Sequence, residues 1–308
     1  MCRKKKKVNL SKTALKDLDW WKKSSIGSYN EIRSFRFHKT IFSDALLSGW
    51  GATCNGKQAH GFWNETEKSQ HINCLELLAV LLALKCFASK NRDCQILLRV
   101  DNIVAISYIN KMGGVKVPYL NKIARTIWKW CLERNIWIFA EYVASKENLA
   151  DKGSRISNMD TEWELGNYAY KRITEVFGIP DIDLFASRIN KKCDRFCFWQ
   201  RDPDAFVFNA LRLDWSEFYG YAFPSFSLIM RTLKKFREDK ATGILVVPDW
   251  RTQPWYPSFM QMISSSILRF EPCTKLLVSP CRTIEHPLAR QLGLIVGVIS
   301  GKCIGERI

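Results

Sequence analysis

The dipeptide Asn55-Gly56 places the strongest single constraint on the fold of this chain. Asn-Gly suits the two-residue turn that joins antiparallel strands, because both positions tolerate positive φ. It therefore predicts a hairpin made of residues 50–54 and 58–63. Ser48-Gly49 predicts an earlier turn, which adds a strand over residues 40–45. The chain thus begins its regular part with three meandering strands.

Alternating helices and strands follow the hairpin. We predict a long helix over residues 73–90, a buried strand over 95–100 and a short helix over 103–110. A helix over 119–134, a strand over 137–143 and a last helix starting near Asn148 complete this part. The order β-β-β-α-β-α-α-β-α predicts an α/β fold with a mixed sheet and helices on its faces.

A second α/β pattern starts near Trp163. It predicts helices over 168–177, ended by Gly178, and over 227–238, and strands over 182–186, 220–223 and 244–247. Residues 260–308 are expected to form a loosely organised tail. The chain accordingly divides into segments 1–36, 37–157, 158–260 and 261–308.

The charge of the chain favours a polyanionic partner. Its 308 residues include 47 Lys plus Arg and 30 Asp plus Glu, a net charge of +17. Such a surplus is typical of nucleic-acid-binding proteins, although charge for solubility alone is the alternative. The basic run 4–7 is a nuclear import signal, a phosphate-binding arm or a solvated tail.

Cysteine usage and hydropathy bear on the compartment. The 11 cysteines show no disulfide-framework or zinc-site spacing, which indicates a reduced, intracellular protein of the cytoplasm or nucleus. No apolar run is long enough to span a membrane, so no membrane partner is expected.

Four carboxylates lie in the first α/β pattern: on the first strand, on the first long helix, at the end of the fourth strand and at the start of the last helix. In that order they are Asp44, Glu76, Asp101 and Asp151. Each has a structural explanation: a turn residue, a capping box with Asn73, a helix N-cap and a first-turn acid. Together they are predicted to meet at one edge of the sheet, where strands end and helices begin. Clustered carboxylates repel one another and call for hard cations, Mg²⁺ above all. Two such ions are a standard device for phosphodiester cleavage.

The segments around these acids resemble the ribonuclease H region of DIRS-type retrotransposons. The similarity rests on SDALLSGWGA, HINCLELLAVLLAL, LRVDN, YINKMGG and KENLADKGSR, with WWKKSSIG upstream. Such elements carry reverse transcriptase, ribonuclease H and a methyltransferase-like region on one polyprotein. The resemblance implies a ribonuclease H-like mixed five-stranded sheet over residues 37–157, preceded by a basic connection segment, 1–36.

The resemblance also implies an activity. It is the metal-dependent endonucleolytic hydrolysis of the RNA strand of RNA–DNA hybrids during reverse transcription. Asp44, Glu76, Asp101 and Asp151 would be the catalytic residues and the ligands of two Mg²⁺ ions, with Mn²⁺ as a substitute. Ser43 replaces the usual Thr, and residues 142–145 replace a His-Ile-Pro-Gly-like turn. No polymerase signature occurs, so the implied partner is a reverse transcriptase domain of the same polyprotein.

Several residues near the acids are predicted to contact the hybrid. Asn102 and the backbone of Gly49 and Gly51 are candidates for hydrogen bonds to ribose hydroxyls. Trp50, between the two glycines, is more simply explained as a core residue. Basic side chains that follow are candidates for phosphate contacts, or else form a solvated face: Lys111, Lys116, Lys122, Arg125 and Lys129.

The second pattern resembles phage-type adenine-N6 methyltransferases through DLFASRIN, YAFPSF and VVPDW. In that family an Asn/Asp-Pro-Pro-aromatic loop grips a flipped base. The aligned loop, Phe223-Pro224-Ser225-Phe226, lacks the acid or amide, and no Gly-rich loop accompanies the Asp183 strand. We therefore expect residues 158–260 to be a degenerate methyltransferase-like domain that does not use S-adenosylmethionine. The alternatives are an adenine methyltransferase-like protein and a non-catalytic nucleic-acid-binding fragment.

Overall fold

The computed structural model of the protein describes residues 9–24, 36–154, 163–280 and 284–302. It consists of two units, residues 1–36 and 37–308. Helix α1 (Lys12–Ser24) lies in the first unit and exposes the rings of Trp20 and Trp21. The basic run 4–7 lies outside the described residues. None of the helices in the described ranges has the length and apolarity needed to cross a membrane.

The first sheet of the larger unit has five strands flanked by helices. In chain order the elements are β1 (Lys39–Ala45), β2 (Gly49–Cys54), β3 (Lys57–Phe62), α2 (Glu65–Lys68), α3 (Ile72–Ala88), β4 (Cys94–Val100), α4 (Ile103–Asn110), α5 (Pro118–Leu132), β5 (Ile136–Tyr142) and α6 (Asp151–Ser154). The strand order is β3-β2-β1-β4-β5. β1, β2 and β3 are antiparallel, whereas β4 is parallel to both β1 and β5. The predicted mixed five-stranded sheet is confirmed, including the Asn55-Gly56 turn, whose residues have φ of 49° and 73°.

Helix α3 forms the centre of the first core. It packs against β1 and β2 on one side and against α4 and α5 on the other. This double cover explains why the helix is apolar almost all round. The helix begins at Ile72, and His71 is its N-cap, accepting the Asn73 N–H on Nδ1 at 3.2 Å. The capping-box explanation of Glu76 is therefore wrong, because Asn73 is not the N-cap.

The second sheet has seven strands: β7 (Ile182–Asp183), β8 (Arg195–Phe198), β9 (Val207–Phe208), β10 (Gly220–Ala222), β11 (Thr242–Pro248), β12 (Leu268–Phe270) and β14 (Leu294–Ser300). Their order is β12-β14-β11-β10-β7-β8-β9. The five strands from β9 to β11 are parallel, and β14 and β12 are antiparallel additions. Helices α7 (Asn167–Phe177), α8 (Ile229–Glu238) and α9 (Tyr256–Met262) accompany it, and β6 (Glu164–Leu165) pairs with β13 (Leu277–Val278).

The expected tail contains a buried strand instead. β14 pairs with β11 along its full length, from Thr242 opposite Ser300 to Pro248 opposite Leu294. Both strands are apolar on both faces, as is usual for strands covered on both sides. Residues 294–300 therefore belong to the second sheet, and the prediction of a loose tail is wrong for this part of 261–308.

Ion pairs join the two sheets of the larger unit. The guanidinium of Arg188, in the loop after β7, donates to both carboxylate oxygens of Glu67 in α2 at 2.6 and 2.9 Å. Both side chains are mostly buried, at 13% and 16% exposure. Lys85 of α3 also pairs with Asp204 at 3.2 Å. The bidentate geometry fixes the orientation of the Arg188 loop against α2.

Candidate metal centre

Three of the four predicted acids meet at one edge of the first sheet. Asp44 lies near the end of β1, opposite Gly51 of β2, and Asp101 directly follows β4. Since β1 and β4 are adjacent parallel strands, their carboxyl ends lie side by side. Glu76 reaches the same place from α3, which crosses β1. One carboxylate oxygen from each of the three residues lies within 4.8 Å of the others.

Glu76 is the most perturbed member of this cluster. Its side chain is 4% exposed, and its Oε2 has no hydrogen-bond partner within the described residues. Burial, together with the nearby Asp44 and Asp101 carboxylates, raises the pKa of Glu76 to about 9, although a hydrogen bond from the Ala45 backbone N–H acts in the opposite direction. A buried carboxylate with an unpaired oxygen is costly unless positive charge compensates it. The three residues thus fit a divalent cation with oxygen ligands.

Asp101 is held by a residue that the sequence analysis did not single out. The Ser145 hydroxyl donates to Asp101 Oδ2 at 2.5 Å. Ser145 arrives there because the backbone of Val143 continues the pairing of β5 with β4, donating to Val100 at 3.0 Å. The only sequence signal was the unusual turn 142–145, of which Ser145 is the last residue. This hydrogen bond fixes one oxygen of Asp101 and leaves the other for a ligand.

Asn148 holds the turn that leads to Asp151. Its amide Nδ2 donates to the backbone oxygen of Ser43 at 3.0 Å, one residue before Asp44. Its Oδ1 accepts the N–H of Ala150 at 3.1 Å, and its backbone oxygen accepts the N–H of Asp151 at 3.1 Å. The side chain is 4% exposed. The Asp151 turn is therefore tied to the strand that carries Asp44.

Asp151 opens α6 beside these residues, but its carboxylate is outside the group of three that lie within 4.8 Å. Helix α6 packs on β1 and β2. A Cβ added at Gly153 would lie 3.3 Å from the Cα of Gly51, so the helix approaches β2 closely. This close approach puts Asp151 on the same edge as Asp44, with its half-buried side chain at the margin of the cluster.

The predicted hybrid contacts occupy different environments. Asn102 caps α4 by accepting the Ala105 N–H at 2.9 Å and donates to Asn73 Oδ1 at 2.9 Å, so its amide joins α4 to α3. Gly49 and Gly51 are buried in β2, and a Cβ at Gly49 would lie 2.5 Å from the oxygen of Gly61.

The structure also shows where the tryptophan and the first two lysines from the sequence analysis lie. Trp50 is a core residue, at 1% exposure. Lys111 and Lys116 are exposed in the loop between α4 and α5, which turns through Met112 and Gly113 at φ of 56° and 130°.

The loop expected to be methyltransferase-like lies in the second sheet. Phe223, Pro224, Ser225 and Phe226 follow β10 and line a cavity of about 490 Å³. Asp183, at the end of β7, is 2% exposed, and burial raises its pKa to about 6. Its carboxylate accepts the backbone N–H groups of Phe185 and Lys192 at 3.2 and 3.0 Å. Asp183 therefore closes the loop after β7.

No protein-family model and no curated protein matches the chain. Among solved structures, ribonuclease H1 of Halobacterium salinarum is 15% identical and aligns over 37% of this chain and 91% of its own, with a TM-score of 0.31. LC11 ribonuclease H1, solved with an RNA/DNA hybrid, is 18% identical over 37% of this chain and 91% of its own, with a TM-score of 0.32. A foamy viral protease-reverse transcriptase, also solved with a hybrid, is 16% identical over 41% of this chain and 21% of its own, with a TM-score of 0.29. Similarity at these levels does not establish the family of the chain.

Proposed function

We propose that residues 37–157 form a metal-dependent ribonuclease H that hydrolyses the RNA strand of RNA–DNA hybrids. The observation that carries this proposal is the buried Glu76 carboxyl, unpaired at Oε2 and grouped with Asp44 and Asp101 within 4.8 Å. Burying Glu76 and Asp44 beside a third carboxylate destabilises the fold unless the site binds cations. The arrangement thus serves a ligand rather than stability.

The residues of the site have distinct roles in this proposal. Asp44, Glu76 and Asp101 hold a first Mg²⁺, and Asp151 completes the site for a second, with Mn²⁺ as a substitute. Ions bound in this way supply an activated water and stabilise the leaving oxygen of a phosphodiester. Ser145 keeps Asp101 in its rotamer by the hydrogen bond to Oδ2, and Asn148 keeps the Asp151 turn against β1. These two residues position the ligands without touching the substrate.

The substrate assignment rests on charge and on residues that flank the acids. The chain carries a net charge of +17, which favours a polyanion. In this proposal Lys111 and Lys116 contact phosphates from the exposed loop after α4. Asn102 and the backbone of Gly49 and Gly51 lie closer to the acids and contact the ribose hydroxyls that distinguish RNA from DNA.

We propose a biological setting from the motifs of the sequence. SDALLSGWGA, LRVDN and KENLADKGSR resemble DIRS-type retrotransposon sequences, so the chain would act in reverse transcription inside the cell. Its partner would be the reverse transcriptase domain of the same polyprotein. Residues 158–260 would be a degenerate adenine-methyltransferase-like region that does not bind S-adenosylmethionine, since the Phe223-Pro224-Ser225-Phe226 loop lacks the acid or amide.

Cleavage of a labelled RNA–DNA hybrid by the full chain tests the activity. We expect cuts in the RNA strand with Mg²⁺ or Mn²⁺, none with EDTA, and a loss of at least about a hundredfold in Asp101→Asn. Asp194→Asn, which neutralises an exposed aspartate in the loop before β8, is the matched control and should cleave normally. Absence of hybrid cleavage with either metal, or equal cleavage by Asp101→Asn, would contradict the proposal.

A further inference from the structure

Helix α6 lies in a slot on one face of the first sheet. Asp44 of β1, Gly51 of β2 and His60 of β3 are directly opposite one another in the two strand pairings. Residues paired in this way project from the same face of a sheet, so the side chains of Asp44 and His60 flank a glycine that has none. A Cβ added at Gly153 of α6 would lie 3.3 Å from the Cα of Gly51 and 3.8 Å from the Cβ of His60. The helix therefore rests on Gly51, and His60 is the wall of the slot on the side away from Asp44.

Loops of the second sheet support this wall from outside. Trp199, directly after β8, packs edge-to-face on the His60 ring, with the ring centroids 6.4 Å apart and the ring planes at 74°. The guanidinium of Arg188 donates to the backbone oxygen of Phe62, two residues beyond His60, at 3.2 Å. Because β3 is an edge strand in the described part of the first sheet, its outer side has no neighbouring strand of that sheet. The second sheet supplies the missing support.

Trp199 provides this support without being part of a core. Its side chain is 61% exposed, and a second ring contact joins it to the buried Phe198, the residue before it, at 5.8 Å. Phe198 anchors the Trp199 ring to β8 while the ring reaches His60. Edge-to-face pairs are directional, because the positive edge of one ring meets the negative face of the other. The contact accordingly fixes where the His60 ring lies rather than whether the chain folds.

We propose that Trp199 is a positioning residue of the candidate metal centre: through His60 it holds α6, and with it the Asp151 carboxylate, in line with Asp44. Helix α6 has four residues, and a helix this short takes its position from its contacts. Asp151 is its first residue, so a lateral shift of α6 moves that carboxylate relative to β1. Asn148 ties down the turn before α6, whereas His60 limits the helix itself. The inference rests on the role proposed above for Asp151 as a ligand of the second metal ion.

Hydrogen exchange of the metal-free full chain tests the positioning directly. Peptides covering residues 145–154 report on the N–H of Asp151, bonded to the Asn148 oxygen at 3.1 Å, and on that of Gly153, bonded to the Ala150 oxygen at 2.9 Å. Trp199→Ala should speed exchange in this segment at least about threefold and leave β4 unchanged, because only α6 loses its support. Trp199→Phe keeps a ring against His60 and should restore most of the protection.

The Mg²⁺ dependence of hybrid cleavage gives a second readout. The half-saturating Mg²⁺ concentration should rise about three- to tenfold in Trp199→Ala and in His60→Ala, while KM for the hybrid and kcat at saturating Mg²⁺ change by less than about twofold. The double variant should be no worse than His60→Ala, since Trp199 acts through that ring. Phe206→Ala is the matched control: Phe206 is 49% exposed and packs on Phe218 within the second region, so both readouts should match the unchanged chain.

Three outcomes would overturn the inference. The first is unchanged exchange of residues 145–154 in Trp199→Ala. The second is an equal rise of exchange in β4 together with lower thermal stability, which would show a general loss of folding. The third is the absence of any recovery in Trp199→Phe. Failure of the unchanged chain to cleave a hybrid contradicts the nuclease proposal alone, and the exchange measurement then decides whether Trp199 positions α6.

Discussion

The raised pKa of Glu76 predicts that the metal-free protein loses stability as pH rises. Because the folded carboxyl has a pKa of about 9 against 4.5 for the reference group, the folded state keeps a proton that the unfolded state releases. The stabilising contribution is complete below about pH 4.5 and is lost progressively up to about pH 9. Between about pH 5 and pH 7.5 the free energy of unfolding should fall by about 3 kcal/mol from this group alone.

Glu76→Gln isolates this contribution. The amide is nearly isosteric, still accepts the Ala45 N–H and does not ionise, so its free energy of unfolding should lack the Glu76 part of the pH slope. Urea unfolding in EDTA at several pH values measures both chains. Glu65→Gln, at an exposed position in α2, is the matched control and should follow the unchanged protein. Parallel pH curves for Glu76→Gln and the unchanged chain would refute the reasoning about burial.

Divalent cations should reverse the slope. A metal ion binds the ionised carboxylate, so Mg²⁺ binding should release a proton and stabilise the fold more at pH 8 than at pH 6. Calorimetry in buffers of different ionisation enthalpy counts the protons released on binding. Proton release should vanish in Glu76→Gln. Mg²⁺ binding without any proton release by the unchanged chain would contradict an assignment of Glu76 as a protonated ligand.

Three further substitutions test the residues that hold the site and the two sheets. Ser145→Ala removes the hydrogen bond to Asp101, so it should weaken Mg²⁺ binding several-fold, lower cleavage and change the free energy of unfolding by only about 1 kcal/mol. Ser145→Thr keeps the hydroxyl and is the control. Unchanged Mg²⁺ affinity in Ser145→Ala would contradict the role of this hydrogen bond. Asn148→Ala should destabilise the protein by about 2 kcal/mol, since it removes the side-chain partners of two backbone groups. Denaturant unfolding measures this change. An unchanged free energy of unfolding would show that other contacts hold the turn. Arg188→Ala should lower the free energy of unfolding by about 2–3 kcal/mol, because the mostly buried Glu67 carboxylate loses its bidentate partner. Arg188→Lys should recover part of this loss. Equal stability of the two variants would contradict a contribution from the bidentate geometry.

Local sequence signals were sufficient for the first sheet. The Asn55-Gly56 turn and the apolar run before Asp101 each act within a few residues, so their patterns predict the elements directly. The strands of the first sheet differ from their predicted bounds by at most one residue at each end. The grouping of Asp44, Glu76 and Asp101 followed from the rule that parallel strand ends and helix starts share one edge.

Long-range partners explain what the patterns missed. Asn73 is a favoured N-cap residue by type, but its side chain accepts from the amide of Asn102, 29 residues away, and His71 caps the helix instead. The 294–300 strand is apolar and short, but its partner, β11, ends 46 residues earlier, at Pro248. No local pattern carries that pairing, so this segment was expected to be loose.

The sequence by itself determined the strands of the first sheet, because turn chemistry and burial periodicity are local properties of the chain. It also predicted the four acids as candidates for one site. Only the tertiary structure decided which of these acids lie close together, that Ser145 and Asn148 hold them, and that segments after four strands enclose one cavity. These are contacts between residues distant in the chain, and their geometry depends on how sheets and helices pack. Burial, and hence the raised pKa of Glu76, arises from that packing.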